Sequence, residues 1–276
     1  MKKSKEELIQ ISNEIRKDII LMLTESGSGH PGGSLSIADV VTTLFFHELN
    51  IDPKNPKNED RDRFILSKGH AAPVLYSALS RRGFFDREEL KKLRKLGSKL
   101  QGHPNMNDVS GIDMSTGSLG QGISAAVGMA IAGKLDNKSY RVYTVLGDGE
   151  LEEGQVWEAA MSAAHYKLDN LTAFVDFNGL QIDGDITKVM NPSPIDKKFE
   201  AFGWNVLVID GHNYDEILDS IDRAKEFKGK PTVIICKTIK GKGVSFMEND
   251  ASWHGNAPTL EQCNKAIKEL GGQTNE

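Results

Sequence analysis

The sequence predicts an α/β fold, a doubly wound parallel sheet flanked by helices. Short apolar runs of strand character alternate with segments that carry apolar residues at helical spacing. Polar or glycine-rich residues follow several of these runs, which is typical of strand-to-helix junctions in open sheets. The 276 residues are 38% hydrophobic and 26% charged, enough apolar material for a buried core. We therefore expect one domain over residues 1–276, with a ligand site at the carboxyl edge of its sheet.

The first half of the chain is mostly helical in pattern. Leu8, Ile15 and Met22 form one apolar stripe of the first helix. Asp86 is a plausible N-cap for a later one. The expected elements are helices over residues 4–25, 37–49, 71–81 and 86–96, and a strand over 61–67.

Two loops of this half are rich in glycine. The loop over 26–34 is too glycine-rich for regular structure, and it places His30 before a proline. Its glycines suggest that the backbone comes close to a ligand there. A second loop over 97–118 precedes small residues over 123–133, which favour a closely packed helix.

The second half alternates more regularly. We expect strands over 140–146, 171–177, 204–209 and 232–235, and helices over 153–166, 199–202, 214–227 and 260–270. The segments 179–194 and 237–256 read as irregular, and long loops inside compact domains are usually functional. His212 follows a strand end, but a single turn histidine leaves its role open.

The chemistry centres on Gly147-Asp148-Gly149, at the end of a predicted strand. Unpaired N–H groups at a helix start favour a diphosphate, and glycines allow it to approach the backbone. Asp148 offers the hard oxygen that Mg²⁺ prefers. Asn178 ends the next strand, so parallel pairing would bring it beside Asp148. Such a triplet alone also fits an ordinary tight turn.

Composition narrows the function classes. The net charge of −5 provides no basic field for nucleic acid. Cys236 and Cys263 make neither a disulfide framework nor a metal cluster, and we expect Cys236 in the core. The sequence shows no signal peptide and no apolar run near the roughly 20 residues of a membrane span. These features predict a cytoplasmic protein without membrane contact.

Several motifs occur in the order seen in transketolases, and the chain resembles the diphosphate-binding, N-terminal half of that family. They are Ser-Gly-His-Pro-Gly at 28–32, Leu-Ser-Lys-Gly-His at 66–70, Gly-His-Pro at 102–104, Thr-Gly-Ser-Leu-Gly-Gln-Gly at 116–122, Gly-Asp-Gly-Glu-Leu-Glu-Glu-Gly at 147–154 and His-Gly at 254–255. The resemblance covers nearly the whole chain.

The resemblance also implies a partner. The family's pyrimidine-binding half is absent, and with it the glutamate that activates thiamine diphosphate and the groups that grip the sugar phosphate. The family includes split enzymes, and the N-terminal Met-Lys-Lys with the polar tail at 271–276 favours a natural subunit over a fragment. We expect two copies of this chain and two C-terminal partner subunits, inactive apart, which act on sugar phosphates in the pentose phosphate pathway.

The family's functional residues map onto this sequence position by position. The divalent metal, Mg²⁺ or alternatively Ca²⁺, would be held by Asp148, Asn178 and the Leu180 carbonyl. The cofactor would be contacted by Gly149, His70 and His254 at the diphosphate and by the backbone of Gly117 and Leu119 at the aminopyrimidine. The channel would hold His30, His103 and His254, and Glu153 would link the two cofactor sites of the assembly. Trp157, Trp204 and Trp253 are expected to serve packing only.

Three alternatives stay open. The cofactor could serve other chemistry, as in 1-deoxyxylulose-5-phosphate synthase or the α subunit of a 2-oxo-acid dehydrogenase, although the motif at 116–122 and the three channel histidines favour transketolase. A transketolase-like pair could act on an unusual sugar. The chain could also be a non-catalytic regulatory module, against which stand Asp148, Asn178, Glu153 and His70.

Overall fold

Five parallel strands form the central sheet of the computed structural model, which describes residues 2–273. The strands are β1 Arg63–Leu66, β2 Val142–Gly147, β3 Leu171–Phe177, β4 Leu180–Gln181, β5 Gly184–Asp185, β6 Asn205–Asp210 and β7 Thr232–Lys237. The sheet has the order β1-β2-β3-β7-β6, and β4 pairs with β5 in a separate antiparallel ribbon. All pairings within the five-stranded sheet are parallel, as predicted.

The register aligns the carboxyl ends of the central strands. Gly147 at the end of β2 lies opposite Asp176 of β3, which lies opposite Cys236 of β7. Residues that follow β1, β2, β3 and β7 therefore emerge side by side at one edge of the sheet. This is the edge at which open α/β sheets bind ligands.

Helices cover both faces of the sheet. They are α1 Lys5–Ser26, α2 Pro31–Ser36, α3 Ala38–Thr43, α4 Ala72–Arg82, α5 Gln121–Leu135, α6 Gly154–His165, α7 Ile186–Val189, α8 Ile195–Ala201, α9 Tyr214–Glu226 and α10 Leu260–Glu269. Alternate strand residues point to opposite faces. Phe64, Tyr143 and Phe174 pack in one buried cluster with α1, α3, α4, α9 and α10. The other face packs against α5, α6 and α8 in a second cluster.

Some elements differ from the prediction. The loop over 26–34 contains the start of α2, because Pro31 occupies the first turn, where a missing N–H costs nothing. The predicted helix over 86–96 is only a 3₁₀ helix, Arg87–Lys92, since Leu93 leaves helical geometry and Arg94 has a φ of +59°. The segment 179–194 holds the ribbon of β4 and β5 and the short α7. The helix predicted at 199 begins at Ile195.

The junction after β2 also differs in detail. A 3₁₀ helix, Gly149–Glu152, separates the strand from α6, which places Glu153 at the N-cap of α6 rather than within a helix. The Glu150 carboxylate turns back and accepts the Gly147 N–H at 3.0 Å, which holds this tighter turn. Cys236 is fully buried, as predicted. Within residues 2–273, no helix is long and apolar enough to cross a bilayer.

Candidate active site

A cavity of about 220 Å³ lies at the carboxyl ends of β1, β2 and β3. Two glycine-bearing loops and the segment after β7 close its sides. Most residues singled out from the sequence line it, namely His30, His70, Gly117, Leu119, Asp148, Gly149, Asn178, Leu180 and His254. The parallel register therefore gathers into one cavity residues that lie far apart in the chain.

Asp148, Asn178 and Leu180 line the cavity and bring oxygen atoms to it. The Asp148 carboxylate accepts the Gly179 N–H at 2.7 Å, and Asn178 Oδ1 accepts the Leu180 N–H at 3.2 Å. Burial and a neighbouring carboxylate raise the pKa of Asp148 to about 6. Within residues 2–273, no three His, Cys, Asp or Glu side chains form a metal-binding group. A cation here would need amide, carbonyl and ligand oxygens beside Asp148, a set that suits a hard ion.

A buried ion pair forms the floor of the site. Lys68 and Asp176 are in contact, and their side chains are 2% and 0% exposed. Asp176 accepts hydrogen bonds from the side chains of Lys68, Ser36, Thr238 and Asn178. Burial would raise the pKa of Asp176, but the Lys68 charge and these donors outweigh it, and the pKa is lowered. By accepting from Asn178 Nδ2, Asp176 fixes the orientation of the Asn178 side chain.

A second buried ammonium group belongs to Lys240. Its Nζ lies 3.1 Å from the Leu180 carbonyl oxygen and 3.0 Å from His254 Nδ1. Burial, then the charge of Lys68, lowers the pKa of Lys240 to about 8. Because a carbonyl oxygen has two lone pairs, Leu180 could serve both Lys240 and a metal ion. Two ammonium groups facing one cavity make it suitable for an anion.

Three histidines surround the mouth of the cavity. The ring centroid of His30 lies 5.2 Å from that of His70 and 5.5 Å from that of His254. Burial lowers the pKa of His30 to about 4 and that of His254 to about 3, and it lowers the pKa of His70 as well. These rings are therefore neutral near pH 7, and each has one N–H donor and one acceptor, of which the acceptor of His254 is taken by Lys240.

The loop that carries Gly117 and Leu119 is fixed from two sides. Thr116 Oγ1 donates to the Leu66 carbonyl at 2.7 Å. The buried Glu150 carboxylate accepts the Gly120 N–H at 2.9 Å. These bonds hold the backbone of Gly117 and Leu119 against the cavity.

His103 and Glu153 lie outside the cavity lining. His103 is exposed and packs on Gly117, where a Cβ would lie 2.9 Å from His103 Cγ. Tyr76 fixes the loop by donating to the His103 carbonyl at 3.0 Å. Glu153 is exposed, and its side chain makes no hydrogen bond to any residue that the structure describes. Both residues therefore face outwards from this chain.

Both ring nitrogens of His212 contact other protein groups, so its role is structural. Its Nε2 accepts the Ile239 N–H at 2.9 Å, and its Nδ1 lies 2.8 Å from the Asp39 carboxylate. It therefore ties the segment after β7 to the helical layer. The three tryptophans donate their indole N–H groups to backbone carbonyls, as packing residues do; they are Trp157, Trp204 and Trp253.

Comparison with known protein families identifies the family to which this site belongs. The family described as "Transketolase, thiamine diphosphate binding domain" matches residues 8–276. The chain belongs to the transketolase family. Thiamine diphosphate is thus its cofactor, and the resemblance predicted from the motifs is confirmed.

Relatives of two lengths match the chain. A 6-deoxy-6-sulfo-D-fructose transketolase subunit of Clostridium sp. (strain MSTE9) is 49% identical, with 94% of both chains covered. One of the apulose-4-phosphate transketolase subunits of Phocaeicola vulgatus is 42% identical, with 94% of this chain and 92% of the relative covered. Human transketolase is 44% identical, but the match spans only 42% of it.

Solved transketolase structures share the fold. The transketolase of Campylobacter jejuni superposes with a TM-score of 0.94 at 37% identity, covering 99% of this chain and 44% of that one. This chain therefore corresponds to less than half of a full-length transketolase.

The residues present fit the family's cofactor. His30 Nδ1 is buried and has no hydrogen-bond partner among residues 2–273, as a group awaiting a ligand would be. A Cβ at Gly33 would lie 3.6 Å from both His70 Nε2 and Lys68 Nζ, so glycine keeps the space before these nitrogens open. Cationic nitrogens, hard oxygens and open backbone together match a metal-bound diphosphate.

Sequence reasoning missed four buried charged residues, Lys68, Glu150, Asp176 and Lys240. Lys68 and Glu150 lie within the quoted motifs but were not singled out. Asp176 interrupts an otherwise apolar strand, and a charged residue there is a usable signal, since unpaired buried charges are costly. Lys240 lies in a glycine- and lysine-rich loop, where nothing in the sequence indicates its burial.

Proposed function

We propose that this chain is the N-terminal subunit of a split transketolase, which transfers a two-carbon ketol unit from a ketose phosphate to an aldose phosphate. The observation that carries the proposal is the cavity, in which groups suited to a metal-bound diphosphate converge beside three neutral histidines. Relatives of matching length are themselves named transketolase subunits, which supports partner-dependent activity.

The cofactor half of the mechanism belongs to this chain. Asp148, Asn178 and the Leu180 carbonyl would hold Mg²⁺, or alternatively Ca²⁺. Gly149, His70 and His254 would contact the diphosphate. Thiamine diphosphate supplies a nucleophilic carbon that forms and breaks the C–C bond. The protein residues bind it, orient it and exclude water.

The substrate half of the mechanism needs neutral histidines. His30, His103 and His254 would donate hydrogen bonds to sugar hydroxyl or carbonyl oxygens, and His30 and His103 could also take up protons from them. The lowered pKa of His30 keeps its Nδ1, unpartnered among residues 2–273, available near pH 7, whereas Nδ1 of His254 accepts from Lys240 and leaves its Nε2–H to donate. The outward position of Glu153 suits contact with a second cofactor site across an interface. His103 faces outwards in the same way, towards the space a partner would enclose.

The proposed assembly is supported by the relatives of matching length, which are named as subunits. We propose a heterotetramer of two such single-domain chains and two C-terminal partner subunits, located in the cytoplasm. Each cofactor would span an interface between unlike chains. The partner would supply the pyrimidine-binding residues and most of the sugar-phosphate contacts.

A second candidate function is ketol transfer from a modified sugar instead of the pentose phosphate pathway sugars. The supporting observation is that two relatives covered over more than 90% of their length are named for 6-deoxy-6-sulfo-D-fructose and apulose 4-phosphate. The choice is tested by giving the assembled pair xylulose 5-phosphate or 6-deoxy-6-sulfofructose as donor, with ribose 5-phosphate as acceptor. The donor with the higher kcat/KM identifies the sugar class.

Replacing His103 with alanine should lower kcat about 100-fold and leave the cofactor Kd nearly unchanged. The reason is that His103 packs beside the cavity rather than in its lining. Steady-state turnover of the assembled pair and cofactor titration measure the two effects. His165→Ala, an exposed histidine at the end of α6, is the control and should change neither. A loss of cofactor affinity larger than the loss of turnover would assign His103 to the cofactor instead.

A further inference from the structure

We propose that Arg94 binds the anionic end of the sugar substrate at the mouth of the site, so that this chain, and not only its partner, selects charged sugars. The inference rests on the proposed function. Three features of Arg94 support it. They are its backbone conformation, the contacts of its guanidinium group and the absence of an ion pair to any residue between 2 and 273.

The backbone of Arg94 is in a conformation that non-glycine residues seldom adopt, with a φ of +59°. The 3₁₀ helix before it ends at Lys92, and the Arg94 N–H donates to the Leu100 carbonyl at 2.8 Å. Such strain persists where the surrounding structure holds it, and it is common at ligand sites. Here it turns Arg94 out of the helical path and across the loop at 97–102.

The guanidinium group packs between the two loops that carry His30 and His103. Its Nη1 donates to Ser28 Oγ at 3.1 Å. A Cβ at Gly102 would lie 2.8 Å from Arg94 Cζ, so only glycine leaves room for the group there. A Cβ at Gly29 would lie 3.9 Å from Arg94 Nε. Gly29 precedes His30 and Gly102 precedes His103, so the group rests against both histidine loops.

The charge of Arg94 is not matched by a carboxylate. Three lysines of the same segment each form an ion pair, Lys91 with Glu88, Lys92 with Glu89 and Lys95 with Glu25. Arg94 forms none with any residue between 2 and 273. Its charge adds to burial in lowering the pKa values of His30 and His103. An exposed guanidinium group without a counter-charge among residues 2–273 therefore remains beside the two histidine loops.

A guanidinium group is well suited to bind an oxyanion. Its planar fork binds phosphate or sulfonate oxygens through two parallel hydrogen bonds, which an ammonium cannot reproduce. One Nη1 bond goes to Ser28, and the other N–H groups of Arg94 make no side-chain hydrogen bond within residues 2–273, so they can meet a ligand. A phosphate or sulfonate at the far end of the sugar is the charged group that such a mouth would meet.

The test compares ribose 5-phosphate with ribose as acceptor for the assembled pair, using wild type, Arg94→Gln and Arg94→Lys. We expect Arg94→Gln to raise KM for ribose 5-phosphate about 10- to 100-fold while kcat and the KM for ribose stay within about twofold. Arg94→Lys should recover only part of the loss. Lys92→Gln removes an equal charge from the same segment, where it is paired and exposed, and should leave all four constants unchanged.

Equal losses for both acceptors would overturn the proposal and make Arg94 a residue that positions the histidines. Weaker assembly of Arg94→Gln with the partner, by analytical ultracentrifugation, would assign Arg94 to a partner carboxylate instead. If the wild-type pair shows no ketol transfer, the proposed function fails. Calorimetric binding of ribose 5-phosphate and ribose to the same complexes then decides the role of Arg94 by itself. Identical affinities in wild type and Arg94→Gln would contradict it.

Discussion

Asp148→Ala should weaken Mg²⁺-dependent binding of thiamine diphosphate by about 100-fold or more and leave the chain folded. Asp148 is buried at the end of β2, and it is the carboxylate in the oxygen set with Asn178 and Leu180. In the proposed site, its loss would remove the negative ligand that offsets the charge of the ion. It also frees the Gly179 N–H, whose partner it is at 2.7 Å.

Fluorescence titration with the cofactor at fixed Mg²⁺, and again in excess chelator, measures this effect. The wild type should bind well only with the metal, and Asp148→Ala should bind weakly in both conditions. Asp183→Ala, an exposed carboxylate close by in the chain, is the matched control and should behave as wild type. An unchanged, metal-dependent affinity in Asp148→Ala would refute the metal assignment.

Lys68→Met should destabilise the chain by about 3–5 kcal/mol, because it leaves the Asp176 carboxylate buried without its counter-charge. The neutral donors of Ser36, Thr238 and Asn178 would still reach Asp176, but they carry no charge. Lys68 also faces the cavity, so the cofactor should bind more weakly too.

Urea unfolding measures the loss of stability in each variant, and cofactor titration measures the loss of affinity. Adding Asp176→Asn to Lys68→Met removes the orphaned charge and should recover much of the stability, without restoring cofactor affinity. Lys91→Met breaks an exposed ion pair with Glu88 and should cost less than about 1 kcal/mol. If Lys68→Met costs no more than Lys91→Met, the ion pair does not hold this region together.

The sheet could be predicted because its strands are short and apolar and the central ones, β2, β3 and β7, are buried on both faces, a pattern that parallel sheets impose. The same parallel register makes Asp148 and Asn178 neighbours, so strand order along the chain was enough to pair them. The histidine cluster was predictable only through motif order, because no local pattern brings His30, His70 and His254 together.

Other features depend on contacts that the sequence does not display. The 3₁₀ turn after β2 is held by Glu150, whose partner Gly120 is distant in sequence. The helical pattern over 86–96 is overridden at Leu93 and Arg94 by contacts with the loop at 97–102. Lys68 and Asp176 each look like ordinary charged residues until the fold buries them together.

The claim that this chain is one half of a split transketolase is tested most directly by complementation. Ketol transfer from xylulose 5-phosphate, and separately from 6-deoxy-6-sulfofructose, to ribose 5-phosphate is measured with thiamine diphosphate and Mg²⁺. The chain alone, the candidate C-terminal chain alone and their mixture are compared. We predict turnover with at least one donor in the mixture only, saturating at an equal ratio of the two chains. Turnover by this chain alone, or a stable complex without turnover on either donor, would contradict the account.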